Sequence, residues 1–228
     1  MKNILIIDCG PSLSEVTNKF GTAPQWIIDS LEKQDCHFKW IKPYNGDIIP
    51  SISYDAWIIT GSPNSVYEEE QWMLDIEEAL RSIKLSSTSV LGICFGSQII
   101  AKAFGGTVKL NKMGWELGSY PIELTPSGRA SLLFSGLKDK IIVYESHQDH
   151  VFELPKSAVE LARNNKGNQS FMIHQNIYGI QFHPEFSWEV IKMYVSIRSS
   201  LGVYIEDPSV PKSVEGKLIL MNFINLIK

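Results

Sequence analysis

The chain has 228 residues, 44% of them hydrophobic and 20% charged, a globular balance within reach of one large α/β domain. With 21 Lys and Arg against 25 Asp and Glu, the net charge is −4 and no basic block appears, which excludes nucleic acid as an expected partner. Cys9, Cys36 and Cys94 form no C-x-x-C pair, which excludes a disulfide framework or a cysteine zinc site and suits a reducing compartment.

The first residues, M-K-N-I-L-I-I-D, are too short in their apolar run for a signal peptide, and Asp8 interrupts them. No apolar run approaches the ~18 residues of a membrane span, so no membrane contact and a cytoplasmic location are expected. Asn3 to Ile7 is apolar throughout and predicts a strand buried on both faces. Asp8 to Ala23 holds Gly, Pro, Ser and Thr and reads as a long loop. Pro24 is placed to start a helix whose apolar face is Trp26, Ile27, Ile28 and Leu31. His37 to Ile41 and Ala56 to Ile59 are further strands, the second running into Thr60-Gly61-Ser62-Pro63. Glu68 to Leu85 predicts a helix with acidic residues in its first turn, as the macrodipole favours. Strands alternating with helices imply a parallel, doubly wound sheet with helices on both faces.

Val90 to Gly106 reads V-L-G-I-C-F-G-S-Q-I-I-A-K-A-F-G-G. The apolar run to Ile93 fits a buried strand, and from Ser97 the spacing turns helical, with Ile99, Ile100, Ala103 and Phe104 on one face. Cys94 stands at the turn, flanked by Gly92 and Gly96. Strand, sharp turn and helix with a nucleophile at the turn is the layout of a nucleophile elbow. It leaves the sulfur at a helix N-terminus, where unpaired N–H groups and the dipole favour an anion. A packing cysteine is the alternative, but packing does not need a backbone cleared on both sides by glycine.

The second half is richer in strands, at Tyr120 to Leu124, Ile141 to Tyr144, Val159 to Ala162, Phe171 to His174 and Tyr178 to Phe182. Ser187 to Ser199 predicts a helix, Asp207 to Pro211 a turn, and Lys212 to Ile227 a closing helix with Leu218, Met221 and Ile224 inward. No repeat or low-complexity linker divides residues 1–228, so a single domain is expected. Gly179 to Phe186 reads G-I-Q-F-H-P-E-F. His183 and Glu185 are two apart and share a face if the strand continues. A carboxylate beside a histidine fixes its tautomer and stabilises its charged form. Cys94, His183 and Glu185 therefore read together as nucleophile, base and orienter.

Other residues invite readings. His147 and His150 are set aside as metal ligands because no Cys or carboxylate completes a ligand set, so no metal is expected. His147 is an alternative base. Trp115, in M-G-W-E-L-G, either walls a pocket or packs beneath one, and Tyr67 and Trp72 carry the same two readings. Cys9 is expected to be structural and Lys112 exposed.

Four motifs in order resemble the class I, triad-type glutamine amidotransferases. G-I-C-F-G-S-Q at Gly92–Gln98 is similar to that family's nucleophile motif, and F-H-P-E at Phe182–Glu185 to its His/Glu motif. T-G-S-P at Thr60–Pro63 is similar to its oxyanion loop, and S-H-Q-D at Ser146–Asp149 to a Ser-His segment the family often has. Among its members the chain looks most like free-standing ones related to the glutaminase domain of guanosine monophosphate synthetase. The resemblance implies a flavodoxin-like, doubly wound core and hydrolysis of a γ-glutamyl amide through a Cys94 thioester, with no cofactor. It implies oxyanion donors from Phe95 N–H and from Gly61 and Ser62. Ser62 departs from the family's usual second glycine and suggests a loop of different resting shape, because Ser tolerates positive φ less readily. Gln98 is expected at the substrate's amino-acid end, with Ser146 and His147 either beside it or holding the loop. Glutamine or a γ-glutamyl compound is the expected ligand. No Gly-rich nucleotide-binding loop is present, so an ammonia acceptor would sit on a separate synthetase. A free-standing γ-glutamyl peptide hydrolase and a catalytically idle binding module remain as alternatives.

Overall fold

The computed structural model describes residues 1–31, 34–51, 53–83, 87–205 and 209–227. The first half forms β1 (Lys2–Ile7), α1 (Ser14–Phe20), α2 (Ala23–Ser30), β2 (Cys36–Ile41), β3 (Ala56–Ile59), α3 (Gln71–Ile83), β4 (Ser89–Ile93), α4 (Phe95–Ala103) and β5 (Thr107–Leu110). The rest forms β6 (Glu116–Leu124), α5 (Pro126–Ala130), β7 (Lys140–His147), β8 (Asp149–Glu153), β9 (Ala158–Asn164), β10 (Gly167–Ile173), β11 (Ile177–Ile180), α6 (Trp188–Ser200) and α7 (Glu215–Leu226).

A nine-stranded sheet runs β2-β1-β3-β4-β11-β10-β9-β6-β7, and β5 pairs with β8 in a separate ribbon. Its first five strands are parallel. The pairings from β11 through β10, β9 and β6 to β7 are antiparallel. The sheet is thus mixed rather than mainly parallel, and the parallel half carries Cys94. Alternation along the parallel strands sends successive side chains to opposite faces. Ile4, Ile6, Ile58, Leu91 and Ile93 pack with Ile27 of α2 and with Ile219, Leu220 and Phe223 of α7. Leu5, Ile7, Ile59 and Val90 pack with Met73, Ile76 and Leu80 of α3 and with Ile99 and Ile100 of α4. Each such fully buried side chain stabilises the fold by about 1.5–3 kcal/mol relative to exposure. Both faces being covered, the purely apolar reading of β1, β3 and β4 holds.

Several expectations are corrected. The loop expected from Asp8 to Ala23 contains α1, whose one buried residue is Val16. The helix expected from Glu68 starts at Gln71. Glu68 instead closes a capping box with Ser65 on a 3₁₀ turn, Val66–Glu68. Its expected end at Leu85 lies outside the described residues, as does Asp207 of the expected turn. β6 begins four residues before Tyr120 and β7 runs on to His147. The strand expected to reach Phe182 stops at Ile180, and His174, at φ 53, lies past the end of β10. α7 begins at Glu215 and buries Ile219, Leu220, Phe223 and Ile224, leaving Leu218 and Met221 half-buried. Among the described residues no helix is long and apolar enough to cross a membrane.

Candidate active site

β4 is buried along its whole length and delivers Cys94 to the sheet's edge. Cys94 takes φ 52 and ψ −106, a backbone state that costs about 1–3 kcal/mol and persists only where its surroundings over-determine it. They do. Cys94 N–H donates to Ile180 O at 2.8 Å and Gly96 N–H to Thr60 O at 3.1 Å, tying the turn to the strands on both sides. Ser97 and Gln98 N–H donate to Cys94 O at 3.0 and 3.1 Å, and Ser97 Oγ adds a third bond at 2.8 Å. The flanking glycines are sterically required. A Cβ on Gly92 would lie 2.3 Å from Gly96 O, and one on Gly96 would lie 2.2 Å from Ile59 O.

His183 N–H donates to Tyr144 O at 2.8 Å, and His183 Nδ1 lies 2.8 Å from Glu185 Oε1. The pair meets as expected, but strand alternation is not the cause. β11 has already ended, and a turn at Pro184 and Glu185 folds the carboxylate back onto the ring. Phe186 stacks on the imidazole at 4.1 Å and 13°, and Tyr194 stacks on Phe186 at 5.1 Å. Burial opposes a charged imidazole, but Glu185 and the nearby Cys94 sulfur outweigh it and hold His183 well above its ordinary value.

Gly61 faces both groups: a Cβ there would sit 3.1 Å from His183 Cε1 and 3.7 Å from Cys94 Cβ. The N–H groups of Gly61, Ser62 and Phe95 have no acceptor among the described residues. Ser62 does not take positive φ. Its Oγ accepts from Asn64 N–H at 3.1 Å, and the two side chains meet at 3.4 Å, so the serine braces the loop.

Two cavities meet at Cys94. The smaller, about 80 Å³, runs beneath Gly10–Leu13 and Tyr194, and the larger, about 230 Å³, is walled by Tyr67, Gln98, Trp115 and Asp149. Ser62, Pro63, Cys94, Ser146 and Arg198 line both. A cavity of about 860 Å³ lies away from Cys94 and His183, between residues 43–54 and α3. Of the ambiguous aromatics, Trp115 and Tyr67 wall the site. Trp72 packs on Phe95 at 5.6 Å and lines the distant cavity. Cys9 is fully buried, and burial pushes its thiol well up. Lys112 is exposed and lines neither cavity.

The three expected substrate contacts divide. Ser146 borders both cavities with a hydroxyl that has no partner among the described residues. Gln98 is buried, and its Nε2 donates to Asp149 O at 3.0 Å and Gln181 Oε1 at 3.2 Å. His147 points Nδ1 at Asp149 O, 3.0 Å away. Its Nε2 lies 3.0 Å from Glu145 Oε2 and 3.4 Å from Glu116 Oε2. Gln98 Nε2 and His147 Nδ1 thus face partners inside the protein, while His147 Nε2 touches the two carboxylates without a hydrogen bond among the described residues.

The premise that no carboxylate stands near His147 is also corrected. Glu116, Glu145 and His147 bring one ligand atom each within 4.8 Å of one another, all buried. Burial opposes the charged ring, but contact with Glu145 and the charge of Glu116 carry His147 up to about 9. Burial pushes the Glu145 carboxyl up to about 7, with His147 pulling the other way. A metal bound there would have to displace the His147 proton. The sequence hides this cluster because its carboxylates reach His147 from two strands, β6 and β7, paired with Glu116 opposite His147. Both shifts are upward, so the folded state holds extra protons and loses stability as pH rises from about 4.5 through about 9. The melting temperature should fall between pH 6 and 9, and Glu145→Gln should flatten that fall. An identical slope in the variant would remove the cluster as its cause.

Arg198 was not singled out in the sequence, and Asp149 only as the last residue of S-H-Q-D. Arg198 had a usable signal: it follows Ile191 and Tyr194 at helical i+7 and i+4 spacing, on the face α6 buries.

A family model described as Glutamine amidotransferase class-I matches residues 15–196. Gamma-glutamyl peptidase 3 of Arabidopsis thaliana is 31% identical over 142 residues, 60% of this chain and 57% of that protein. A glutamine-hydrolyzing GMP synthase of Prochlorococcus marinus (strain MIT 9515) is 30% identical over 207 residues, 85% of this chain and 35% of the synthase. The chain thus spans little more than half of the first and about a third of the second. A solved glutamine amido transferase from Methylobacillus Flagellatus shares the fold at TM-score 0.78 and 21% identity, covering 100% of this chain and 96% of that one.

Proposed function

We propose a reaction for a chain that belongs to the class-I glutamine amidotransferase family: hydrolysis of a γ-glutamyl amide, of glutamine or a related compound, through a Cys94 thioester. The observation that carries it is the strained elbow holding Cys94 against a His183 whose other nitrogen is fixed by Glu185. Cys94 Sγ attacks the amide carbonyl carbon, and the C–O π pair moves onto oxygen. That oxyanion is met by Phe95 N–H and by an N–H of Gly61 or Ser62, each such donor being worth about 10²–10³ in rate. His183, charged beside the sulfur, gives its proton to the leaving nitrogen. Water then attacks the thioester, His183 takes its proton, and the sulfur leaves with the γ-glutamyl acid freed. Glu185 keeps the imidazole in place throughout. The order of the five parallel strands, β2-β1-β3-β4-β11, supports a flavodoxin-like core in one domain. Three free cysteines support a reducing, cytoplasmic setting.

The nature of the leaving nitrogen separates two readings. Ammonia passed to a separate synthetase is one, and a free-standing γ-glutamyl peptide hydrolase is the other. The Ser62 brace favours the second, because the loop takes its shape from the chain's own Asn64. A binding module without chemistry would have no use for the strain at Cys94. The test is to mix the protein with glutamine and with γ-glutamyl dipeptides, quench in acid and examine Cys94 by mass spectrometry. A γ-glutamyl adduct on Cys94 and release of glutamate are expected. Neither appearing with any substrate would leave the proposal without support, and an adduct formed faster from dipeptides selects the hydrolase.

A further inference from the structure

Helix α7 lies outside residues 15–196, the stretch that the family model matches, yet its first turn rests on the turn that carries His183 and Glu185. Gly216 makes that contact. Glycine is a poorer helix former than alanine, and Gly216 does not take positive φ, so the local backbone does not call for it. Its neighbour does. A Cβ on Gly216 would lie 2.6 Å from Pro184 O, 2.8 Å from Pro184 Cα and 3.1 Å from Pro184 C. All three are main-chain atoms, so no side-chain rotation makes room.

A second tie runs through β7. Tyr144 O accepts from His183 N–H at 2.8 Å, and the hydroxyl of the same tyrosine accepts from Ser213 N–H at 2.8 Å. Ser213 Oγ lies 2.6 Å from Ile142 O. Glu215 closes the helix start by accepting from Val214 N–H at 2.9 Å. The start of α7 therefore grips both the turn and the strand that holds His183. The turn depends on that grip. Glu185 Oε2 is buried and has no hydrogen-bond partner among the described residues, so this carboxylate is placed by its bond to His183 and by the backbone beneath it. A cavity of about 200 Å³ is lined by His183, Pro184 and Glu185 on the turn and by Ser213, Gly216 and Lys217 at the helix start. It leaves the turn space to shift once the contact is altered.

We propose that the start of α7 is a clamp on the catalytic turn, with Gly216, through Pro184, and Ser213, through Tyr144, as positioning residues that set where His183 and Glu185 stand against Cys94. This rests on the reading that these three groups cleave a γ-glutamyl amide. Neither Gly216 nor Ser213 lines a cavity at Cys94, so both act through the turn and not on the substrate. Their effect falls on the chemical step and leaves KM near its wild-type value. Moving the turn also weakens the field at His183. Glu185 and Cys94 are the groups that hold its imidazole above the ordinary value, and their pull falls with distance.

The experiment compares Gly216→Ala with Ile224→Ala, which removes buried packing from the same helix about two turns further on. Thermal melts, kcat and KM for a γ-glutamyl amide, and the titration of His183 followed by NMR of its ring nitrogens are measured for each. Gly216→Ala should lose about 100-fold in kcat/KM, nearly all of it in kcat, as a shift near 1 Å of a reacting group costs. Its His183 should titrate at lower pH than in wild type. Ile224→Ala should melt at least as early and keep both the wild-type kcat/KM and the wild-type titration. Tyr144→Phe removes the tie to Ser213 and leaves Tyr144 O on His183. It should move both readouts in the same direction by less, and it decides the matter where Gly216→Ala does not fold. Turnover and titration unmoved in the clamp variants, or moved as far in Ile224→Ala as in Gly216→Ala, would overturn the clamp. If wild type cleaves no γ-glutamyl amide the proposed hydrolysis fails, and the His183 titration still decides the clamp.

Discussion

Replacing Cys94 by Ala, or His183 by Ala, should lower turnover of γ-glutamyl amides by on the order of 10⁶, and replacing both should cost hardly more than either alone. The non-additivity follows from the geometry. Cys94 is among the groups that hold His183 above its ordinary value, so the sulfur and the imidazole work as one unit and each is useless to the reaction without the other. Glu185→Gln should cost less, about 10²–10⁴, because the amide keeps the shape but removes the charge that holds His183 well above its ordinary value. Steady-state kcat/KM on protein whose circular dichroism matches wild type is the measurement. Appreciable hydrolysis by the His183 variant would mean that another base serves. His147 is poorly placed for it, since its Nδ1 faces Asp149 O and its Nε2 faces Glu145 and Glu116.

The second large effect is expected at Gly96. A methyl group there meets Ile59 O at 2.2 Å and Ile59 C at 2.8 Å. These are backbone atoms of a central strand, so no side-chain rotation relieves the overlap. Gly96→Ala must push the helix start away from β3, breaking the bond from Gly96 N–H to Thr60 O and moving Cys94 with it. The cost should be about 3 kcal/mol or more in stability. A shift near 1 Å at the nucleophile costs roughly 10² in rate by itself. Gly105→Ala makes the control: its φ is +89 but nothing lies within 4 Å of the added methyl, so about 1 kcal/mol is expected. Thermal melts of both variants, with kcat/KM, check this. Equal melting temperatures would show that the elbow has more room than its backbone allows.

What the sequence made legible was what local chemistry alone decides. The apolar runs of β1, β3 and β4 need no partner to be recognised, and Gly92-x-Cys94-x-Gly96 carries its own steric reason. Elements shaped by distant contacts were not legible. α1 buries only Val16, so no periodicity marks it. β5 and β8 make a narrow ribbon of mixed exposure, with no clean alternation to see. The early start of β6 at Glu116 was hidden because a buried glutamate looks like a loop residue until Asn164 and Gln169, donating at 2.6 and 3.1 Å, are seen to hold its carboxylate. The face of α7 was misjudged by about one position because nearly every residue from Leu218 to Phe223 is apolar, and only packing against the sheet decides which turn inward. In the site, the triad was readable from its motifs, whereas Asp149 stood only as the last letter of S-H-Q-D and Arg198 showed only the buried face of its helix, neither revealing what it faces.

The two bonds that tether the turn at Cys94, one to Thr60 O and one to Ile180 O, also set an order of events during synthesis. β3, β4 and β11 are neighbours in the sheet, yet β11 is made more than eighty residues after β4. While residues up to about 175 emerge, the growing chain holds the sulfur and the loop at Gly61 but has no β11 to clasp the elbow and no imidazole beside it. Domains fold largely as units once their strands are available. Reactivity toward amides therefore switches on late, with the last parallel strand, and an unfinished chain is spared a working nucleophile.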